Sequence, residues 1–598
     1  MASQLKKEAV LFVGEGDFSF AASYIACDAG LNEEIYATCL NGLEQTENIQ
    51  KIQEFGGHVY TDVDATSLHC HPLLKYIYFT KIIFNFPHVK KKMNIRDNRK
   101  LLQEFFCSAR KQLKENGKII VTLCQGQGGT EFEFVKREWC NTWQICNMAA
   151  SASLILVQVL PFDPNNFLNY KCTGYRGLNK PFNISGALTH FFCLAPGAEL
   201  EVREIKIEED IEKYYLQNCK ELFLKFSMNM DGPFSPSNKI ISFLMKMVSQ
   251  NLVFSPETTV STLLTCTDFV SVGETSVSQV QKCAKVASSN ICTSCLKCLA
   301  ELYVQNGYFD TQAISSYICS ICCSKYFDVF KLPFYKSVTY FSRSKNSLFT
   351  FYNLIKEQLK KLFDPHLNDG VYKDQKSAHE LHSNRTIEAP FKYVLEDMLV
   401  KQIVTVYASY SLKKYNGLTF YCDINIIDSN LCQAAECSNI TSVEIGSIFL
   451  FEHKLLSKFW CFNLNIDLIA CLKFNILDER MLFYEGSYFT CTFNKISQLI
   501  YRCKSISPPI FVHDTSFWVE DDFCERKLLL LIRSISHLLI KKAVLVDSYY
   551  QESEKRFSKC YRFHYQSCNN ALSKEKANDI HTKIIRKALS RVLKLSLR

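Results

Sequence analysis

Seven apolar runs of strand length alternate with helical segments over the first two hundred residues. The runs cover residues 9–13, 35–40, 58–63, 81–86, 118–124, 153–159 and 187–193. Strands that alternate with helices in this way form parallel sheets with helices packed on both faces. The sequence therefore predicts an α/β domain over residues 1–200.

A turn with two glycines follows the first of these strands. Gly14 and Gly16 permit a tight turn and a close approach of the backbone to a nucleotide at the start of the next helix. Glycine pairs also occur in turns that bind nothing. We expect a ligand over this turn, with Gly14, Gly16 and Asp17 as binding residues.

Asp64 follows the third strand, at the edge of the sheet where open α/β sheets bind ligands. Its carboxylate is suited to accept a hydrogen bond from an adenine amino group. The alternative is that Asp64 caps the next helix.

The fourth strand ends beside the same edge, in Asn85, Phe86, Pro87 and His88. An amide, an aromatic ring and an imidazole together can hold a flipped base by hydrogen bonding and stacking. The imidazole of His88 is also suited to accept a proton. We predict Asn85, Phe86 and His88 as catalytic residues; the alternative is that Phe86 belongs to the core and Pro87 ends the strand.

These segments resemble, in order and spacing, the 25S rRNA (uridine-N3)-methyltransferase-like family over residues 8–195. They are VGEGDFSF at 13–20, VDAT at 63–66, FNFPH at 84–88, NR at 98–99, FF at 105–106, VTL at 121–123 and GYR at 174–176. The resemblance implies a Rossmann-like methyltransferase fold, S-adenosyl-L-methionine as methyl donor, and N3 of uridine in RNA as acceptor. The chain departs from the family at CLN (39–41), where an acid is usual, and at QGQGGT (125–130).

The last ninety residues have the element order of a ferredoxin-like sandwich. The sequence predicts a strand at 515–519, a helix at 524–540, strands at 543–549 and 559–565, and a helix at 574–592. The motifs DTSFWV at 514–519, CYRFHY at 560–565, LS at 572–573 and IH at 580–581 resemble the ferredoxin-fold anticodon-binding domain of phenylalanyl-tRNA synthetases. We assign this domain to residues 506–598.

Lysines and arginines are concentrated in this domain. We predict an RNA-binding surface in which basic side chains contact phosphates and aromatic rings stack on bases. It comprises Lys555, Arg556, Lys559, Tyr561, Arg562 and Lys587, near Phe563 and Tyr565. The alternative is a solvated charged helix with core aromatics. Synthetase relatives often carry arginine where this chain has Gln566, so one phosphate contact is expected to be missing.

The segments WCFNLNIDL at 460–468 and DERMLF at 478–483 resemble the last catalytic motif of phenylalanyl-tRNA synthetase, with three changes. That motif has two glycines and an ATP-binding arginine where this chain has Asn463, Asn465 and Leu468. A guanidinium binds phosphates bidentately, and leucine cannot replace it. We therefore predict that residues 346–505 form a degenerate class II synthetase-like domain without aminoacylation activity.

Residues 201–345 are predicted to be a mainly helical connecting region with two groups of cysteines. Paired CxxC motifs occur in zinc sites, but residues 292–303 have a helical apolar pattern without the glycine of a zinc knuckle. We interpret these residues as core cysteines and predict no metal site. They are Cys292, Cys295, Cys298, Cys319, Cys322 and Cys323.

Composition limits the class of protein. The chain has 598 residues, 47% of them hydrophobic, so several domains are expected. The net charge of +9 is small, which requires any RNA surface to be a local patch. The 28 cysteines are scattered as in reduced proteins, and no apolar run is long enough for a signal peptide or a membrane helix. We expect an intracellular protein of the cytoplasm or the nucleolus.

Two functions fit these patterns. The first is an S-adenosyl-L-methionine-dependent methyltransferase acting on uridine N3 of rRNA or tRNA, in which the C-terminal domain delivers structured RNA and His88 accepts the N3 proton. The second is a non-catalytic tRNA- or rRNA-binding assembly factor built from two inactive enzyme-like domains.

Overall fold

The structure is a computed structural model of the 598-residue chain. It describes residues 7–26, 33–41, 46–89, 94–173, 184–198, 200, 210–230, 235–248, 259–264, 311–319, 329–342, 353–355, 358–359, 362, 401–410, 418–427, 441–453, 457–474, 476, 478–483 and 508–598. Within these residues no helix is long and apolar enough to cross a bilayer.

The first sheet is built from the N-terminal strands. These are β1 (Glu8–Val13), β2 (Glu33–Thr38), β3 (His58–Tyr60), β4 (Phe79–Asn85), β5 (Leu113–Leu123), β6 (Leu154–Pro161) and β7 (Leu188–Leu194), in the order β3-β2-β1-β4-β5-β7-β6. The helices of this domain are α1 (Ser19–Ala26), α2 (Glu47–Glu54), α3 (Ile95–Arg110) and α4 (Ile145–Ala150). Val10 and Phe12 pack into one core cluster and Leu11 and Val13 into another, so β1 is buried on both faces.

The predicted α/β class is confirmed, but the sheet is not fully parallel. Neighbouring strands from β3 to β5 are parallel, whereas β7 is antiparallel to both β5 and β6. Parallel strands need a crossover, usually a helix. The described residues between β6 and β7 contain only a short 3-10 turn, Pro164–Asn166, so β7 returns beside β6 in the opposite direction.

A second sheet lies in the middle of the chain. Its strands are β8 (Thr259–Leu264), β9 (Thr311–Cys319), β10 (Phe334–Ser342), β11 (Lys401–Tyr410), β12 (Leu418–Ile427), β13 (Thr441–His453) and β14 (Ser457–Asn465), in the order β11-β12-β13-β14-β10-β9-β8. Helices α5 (Ile211–Met230), α6 (Pro236–Val248) and α7 (Ile466–Phe474) belong to the same part of the chain.

Three of these strands were not expected, because residues 201–345 were predicted to be mainly helical. β8, β9 and β10 come from that region and join the strands of residues 346–505 in one sheet. Consecutive residues Val338, Thr339 and Tyr340 of β10 are all buried. A strand buried on both faces lacks the alternation that reveals a strand in sequence.

The C-terminal domain has the predicted ferredoxin-like order. Strands β15 (Phe511–Val519), β16 (Ile540–Gln551), β17 (Arg556–Tyr565) and β18 (Ser596–Leu597) form an antiparallel sheet in the order β16-β17-β15-β18. Its helices are α8 (Glu525–Ser536), α9 (Lys574–Ile580) and α10 (Arg586–Val592), the last two joined by a π-helical turn at His581–Ile585. The short strand β18 completes the sandwich and was not predicted.

The N-terminal and C-terminal domains are in direct contact. The amide of Ala198 donates to the Ala571 carbonyl at 3.0 Å, and the Ala571 amide donates to the Pro196 carbonyl at 2.8 Å. The Asn147 Oδ1 atom accepts from the Lys574 amide at 2.7 Å, at the start of α9. The two domains that sequence analysis connects with RNA chemistry are thus joined by hydrogen bonds.

Candidate functional site

The turn after β1 requires glycine at its first position. Gly14 has a φ of +67°, and a Cβ atom there would collide with the ring of Phe84 on β4. The amide of Glu15 donates to the Thr38 carbonyl at the end of β2, at 2.9 Å. The turn is therefore fixed against both neighbours of β1, at the edge where doubly wound sheets bind ligands.

The other predicted ligand residues of this turn have contacts within the protein. Asp17 Oδ1 accepts from the Ser19 amide at 3.0 Å at the start of α1. A Cβ atom on Gly16 would collide with the side chain of Thr173. A larger residue at Gly16 would therefore disturb packing as well as any ligand.

Glu15 is an ionisable group of the site that sequence reasoning did not select. Its Oε2 atom accepts from the Ala21 amide at 3.3 Å. Burial, with Asp17 nearby, raises the pKa of this carboxyl to about 8. A cation in the turn would favour the ionised form. The only signal for Glu15 in the sequence is its place between the two glycines.

Asp64 is the cap of the following 3-10 turn, Ala65–Cys70. Its Oδ1 atom accepts from both the amide and the hydroxyl of Thr66, each at 2.8 Å. The capping alternative therefore describes its contacts, and an adenine contact stays a prediction.

The segment after β4 has a strained backbone that buries its aromatic ring. Phe86 has a φ of +49° and is 8% exposed, with its ring packed edge-on against Phe162 at 5.4 Å. The expectation that Phe86 stacks on a base is therefore wrong, because the ring is part of the core. His88 folds back, with Nδ1 3.0 Å from the Phe86 carbonyl oxygen.

Asn85 is the last residue of β4, and the oxygen of its side-chain amide is hydrogen-bonded within the sheet. Its Oδ1 atom accepts from the Thr122 hydroxyl at 2.7 Å. Its Nδ2 atom is buried and has no hydrogen-bond partner in the part of the chain that the structure describes. A buried donor without a partner is unusual in native proteins and suggests a role with a ligand.

Asn98 and Arg99, which belong to the segments that resemble the methyltransferase family, form hydrogen bonds to the backbone of neighbouring segments. Asn98 Oδ1 accepts from the Val89 amide at 2.9 Å, which holds the chain just after His88. Arg99 Nε donates to the Thr142 carbonyl at 2.9 Å. These two residues hold neighbouring loops in place.

The glycine-rich loop after β5 is anchored by a residue that the sequence did not reveal. The buried carboxylate of Glu133 accepts from the amides of Gly126 at 2.6 Å and Gly128 at 2.9 Å. Burial raises the pKa of Glu133 despite these bonds. Burial also lowers the pKa of His190, beside the same loop, to about 4.

In the C-terminal domain, the predicted aromatic contact with RNA is wrong. Tyr561 is 1% exposed, its ring is stacked on Phe517 at 5.8 Å, and its hydroxyl donates to Glu525 at 2.7 Å. Phe563 and Tyr565 are also buried. These rings face the helices because they alternate with the exposed residues of β17.

The basic residues of β17 lie on different faces of the sheet. Arg562 is exposed on the face opposite to the helices, where it forms a bidentate pair with Asp514 at 2.8 and 2.7 Å. Arg556 shares that face and lies 5.5 Å from the Trp518 ring. Lys559 instead lies over Phe523, at 5.0 Å, on the side of the helices. Lys555 occupies the turn before β17, and Lys587 belongs to α10.

Gln566 belongs to a buried clamp and not to an RNA surface. Arg480 donates to the Gln566 carbonyl and side chain, each at 3.1 Å, and pairs with Asp478 at 2.6 Å. Gln566 Nε2 donates to the Pro508 carbonyl at 2.7 Å. Gln566 is buried, so the expectation that one phosphate contact is missing at this position stays a prediction.

In the synthetase-like segment, the residues that differ from the synthetase motif make contacts within the protein. Asn463 is fully buried and donates to the Thr339 hydroxyl at 2.8 Å. Asn465 Oδ1 accepts from the Leu468 amide at 3.0 Å at the start of α7, and Leu468 packs against the core. The predicted cysteine group lies outside the described residues, apart from the backbone of Cys319 at the end of β9.

Two family models match the ends of the chain. Residues 11–174 match the model described as rRNA (uridine-N3-)-methyltransferase BTM5-like, and residues 505–598 match the ferredoxin-fold anticodon binding domain.

Relatives match almost the whole chain. Ferredoxin-fold anticodon-binding domain-containing protein 1 homolog of Mus musculus is 27% identical over 98% of this chain and 99% of its own length. Ferredoxin-fold anticodon-binding domain-containing protein 1 of Homo sapiens is 27% identical over 95% and 96%. The chloroplastic/mitochondrial phenylalanine–tRNA ligase of Arabidopsis thaliana is 30% identical over 23% of this chain and 32% of its own. The chain thus combines a methyltransferase-like domain with an anticodon-binding-type domain.

Proposed function

We propose that the chain is an S-adenosyl-L-methionine-dependent methyltransferase that modifies N3 of uridine in a structured RNA, either ribosomal or transfer RNA, in the cytoplasm or nucleolus. The observation that carries the proposal is the edge of the first sheet. There the glycine turn after β1 adjoins Asn85 at the end of β4, whose buried Nδ2 group has no partner among the described residues. The match of residues 11–174 supports the reaction class.

The residues of the turn fit a cofactor with positive charges. S-adenosyl-L-methionine carries a sulfonium and an ammonium group and supplies an electrophilic methyl group when bound. Asp17 provides a carboxylate beside the backbone of Gly14 and Gly16, and Glu15 provides a second carboxyl group whose raised pKa a bound cation would lower. Opposite charges and close backbone approach are what such a ligand requires.

His88 is the base in this proposal. Because a carbonyl oxygen only accepts, the bond to Phe86 assigns the imidazole proton to Nδ1. The lone pair then lies on Nε2, which accepts the N3 proton of uridine. N3 keeps the electron pair of its N–H bond and would use it to form a bond to the methyl carbon, while the bond from that carbon to the donor's sulfur breaks and its electron pair stays on sulfur.

RNA delivery is assigned to the face of the C-terminal sheet opposite to its helices. Arg556, Arg562, Arg598 and the rings of Trp518 and Tyr549 lie on this face. Cations and rings of this kind contact phosphates and bases. The hydrogen bonds between the domains would hold RNA on this face in a fixed relation to the strand ends.

The test uses the full chain. Calorimetry with S-adenosyl-L-methionine measures binding, and transfer of a labelled methyl group to rRNA and tRNA, followed by nucleoside analysis, identifies the product. We expect N3-methyluridine from the wild type, a loss of about 100-fold or more with His88→Gln, and no change with His58→Gln on the sheet edge. RNA binding without cofactor binding would favour the non-catalytic assembly factor instead.

A further inference from the structure

Three hydroxyl and amide side chains form a row across β7, β5 and β4. Thr189 pairs with Thr122, and Thr122 pairs with Asn85, at directly opposite register positions. The two threonine hydroxyls are 3.1 Å apart, and Thr122 Oγ1 is 2.7 Å from Asn85 Oδ1. Both threonines are 1% exposed. The row ends at the candidate site.

The row fixes how the Asn85 amide is presented. When the Thr122 hydroxyl donates to Asn85 Oδ1, its oxygen accepts from Thr189, and the Asn85 Nδ2 group faces away from the row. Nδ2 is buried and has no partner within the described residues. An unsatisfied buried donor costs about 1–3 kcal/mol, so a ligand acceptor would relieve a real penalty.

We propose that Thr122 is a positioning residue that directs Asn85 Nδ2 towards the O4 carbonyl of the target uracil. This inference rests on the proposed function. As N3 of uracil loses its proton, negative charge spreads onto the flanking carbonyl oxygens, and a fixed donor stabilises that charge more in the transition state than before it. Nδ2 is shielded from solvent, so the side chains over it must move when the base enters.

The fixed position of the Asn85 Nδ2 donor also gives a reason why the site would select uracil over cytosine. Cytosine carries an amino group at the position of O4, and two donors cannot form a hydrogen bond with each other. A donor that is held in place therefore rejects cytosine, because its own buried N–H would stay unpaired. Asn85 is the contact residue, and Thr122 acts through it.

The test compares Thr122→Val with Thr122→Ser in the full chain. Valine removes the hydroxyl at nearly constant shape, so we expect kcat for methyl transfer to fall about 10-fold to 100-fold, with unchanged affinity for S-adenosyl-L-methionine. Serine keeps the hydroxyl and should restore kcat to within about threefold. Thr80→Val is the matched control and should leave kcat unchanged, because Thr80 lies on β4 with its hydroxyl bonded to the Ala9 carbonyl, outside the row.

Asn85→Asp tests the direction of the hydrogen bond. A carboxylate only accepts, so uridine methylation should fall by about 100-fold or more. Wild-type kcat in Thr122→Val, or retained activity in Asn85→Asp, would overturn this inference while the proposed function stands. A wild-type chain that binds RNA and methylates no uridine would overturn both.

Discussion

This chain has two enzyme-like junctions, each the point where a strand ends and the next segment begins. One lies in the methyltransferase-like domain and the other in the synthetase-like segment, and they use their polar side chains in opposite ways. After β4, the Asn85 amide keeps a buried donor without a partner in the described part of the chain, beside a turn that excludes any side chain at Gly14. After β14, both carboxylate oxygens of Asp467 in α7 accept within the protein, from the Ser237 hydroxyl at 2.5 Å and from the Lys336 amide at 2.7 Å.

The difference has a physical meaning. Polar groups reserved for a ligand cost stability in its absence, whereas polar groups that bond within the protein contribute to its stability. The first junction has the character of a binding site, and the second has that of a scaffold. The predictions below test this contrast, starting from the largest expected effect.

The Gly14→Ala variant should lose cofactor binding by about 100-fold or more, because the turn must shift. The added Cβ meets the Phe84 ring at a positive φ, so the free energy of unfolding should also fall by about 2–4 kcal/mol. Gly56→Ala is the matched control: Gly56 also has a positive φ but open space around it, and should cost only about 1 kcal/mol. Calorimetry and urea unfolding measure the two effects. Similar losses in both variants would contradict the assignment of the turn.

The Arg480→Met variant tests the scaffold role of the synthetase-like segment. It leaves the buried Asp478 with Lys541, 3.2 Å away, as its remaining cation, and should lower the free energy of unfolding by about 3 kcal/mol, the lower end of the range for breaking a buried pair. The exposed pair of Lys51 and Glu47 provides the control, since Lys51→Ala should leave the free energy of unfolding almost unchanged. A small effect of Arg480→Met would mean that the buried clamp of Arg480, Asp478 and Gln566 does not stabilise the contact between the synthetase-like segment and the C-terminal domain.

Stability should fall in acid because of His581. Burial lowers its pKa to about 4, and its nitrogens contact Tyr565 at 2.9 Å and Thr515 at 3.0 Å. The unfolded histidine has a pKa near 6.5, so the unfolded state binds the proton first as the pH falls. Up to about 3 kcal/mol should be lost between about pH 6.5 and pH 4. Urea unfolding across this range should show a flatter profile for His581→Gln, and identical profiles would refute the prediction.

Measurements of RNA binding by variants should show which face of β17 contacts RNA. The Arg556→Ala/Arg562→Ala pair removes two charges from one face and should reduce the salt dependence of RNA binding by about one to two units of slope. Arg562 contributes less than a free arginine because Asp514 partly neutralises it. The control Lys51→Ala/Lys100→Ala removes the same charge from the N-terminal domain. If Lys559→Ala has the larger effect, the RNA lies on the side of the helices.

The last prediction concerns an activity that we expect the chain to lack, the activation of phenylalanine with ATP. Phenylalanine-dependent exchange between ATP and pyrophosphate should stay at background, because Leu468 packs against the core where the synthetase motif has its arginine. Exchange above background would show that the junction after β14 still binds a nucleotide.

The sequence by itself determined the order of elements at both ends of the chain. The apolar run at 9–13 became β1 (Glu8–Val13), and the C-terminal strands and helices follow the predicted order. Local periodicity carries this information, since it depends only on neighbouring residues. The same holds for the turn at Gly14, whose positive φ only glycine accepts without strain.

Only the tertiary structure decided which face each residue occupies. The alternation along β17 shows that Tyr561 and Arg562 point in opposite directions, but the packing of α8 decides that Tyr561 is the buried one. The contacts of Asn85 with Thr122, and of Gln566 with Arg480, join residues far apart in the chain. Hydrogen bonds of this kind depend on how distant segments pack, and no local pattern in the sequence encodes them.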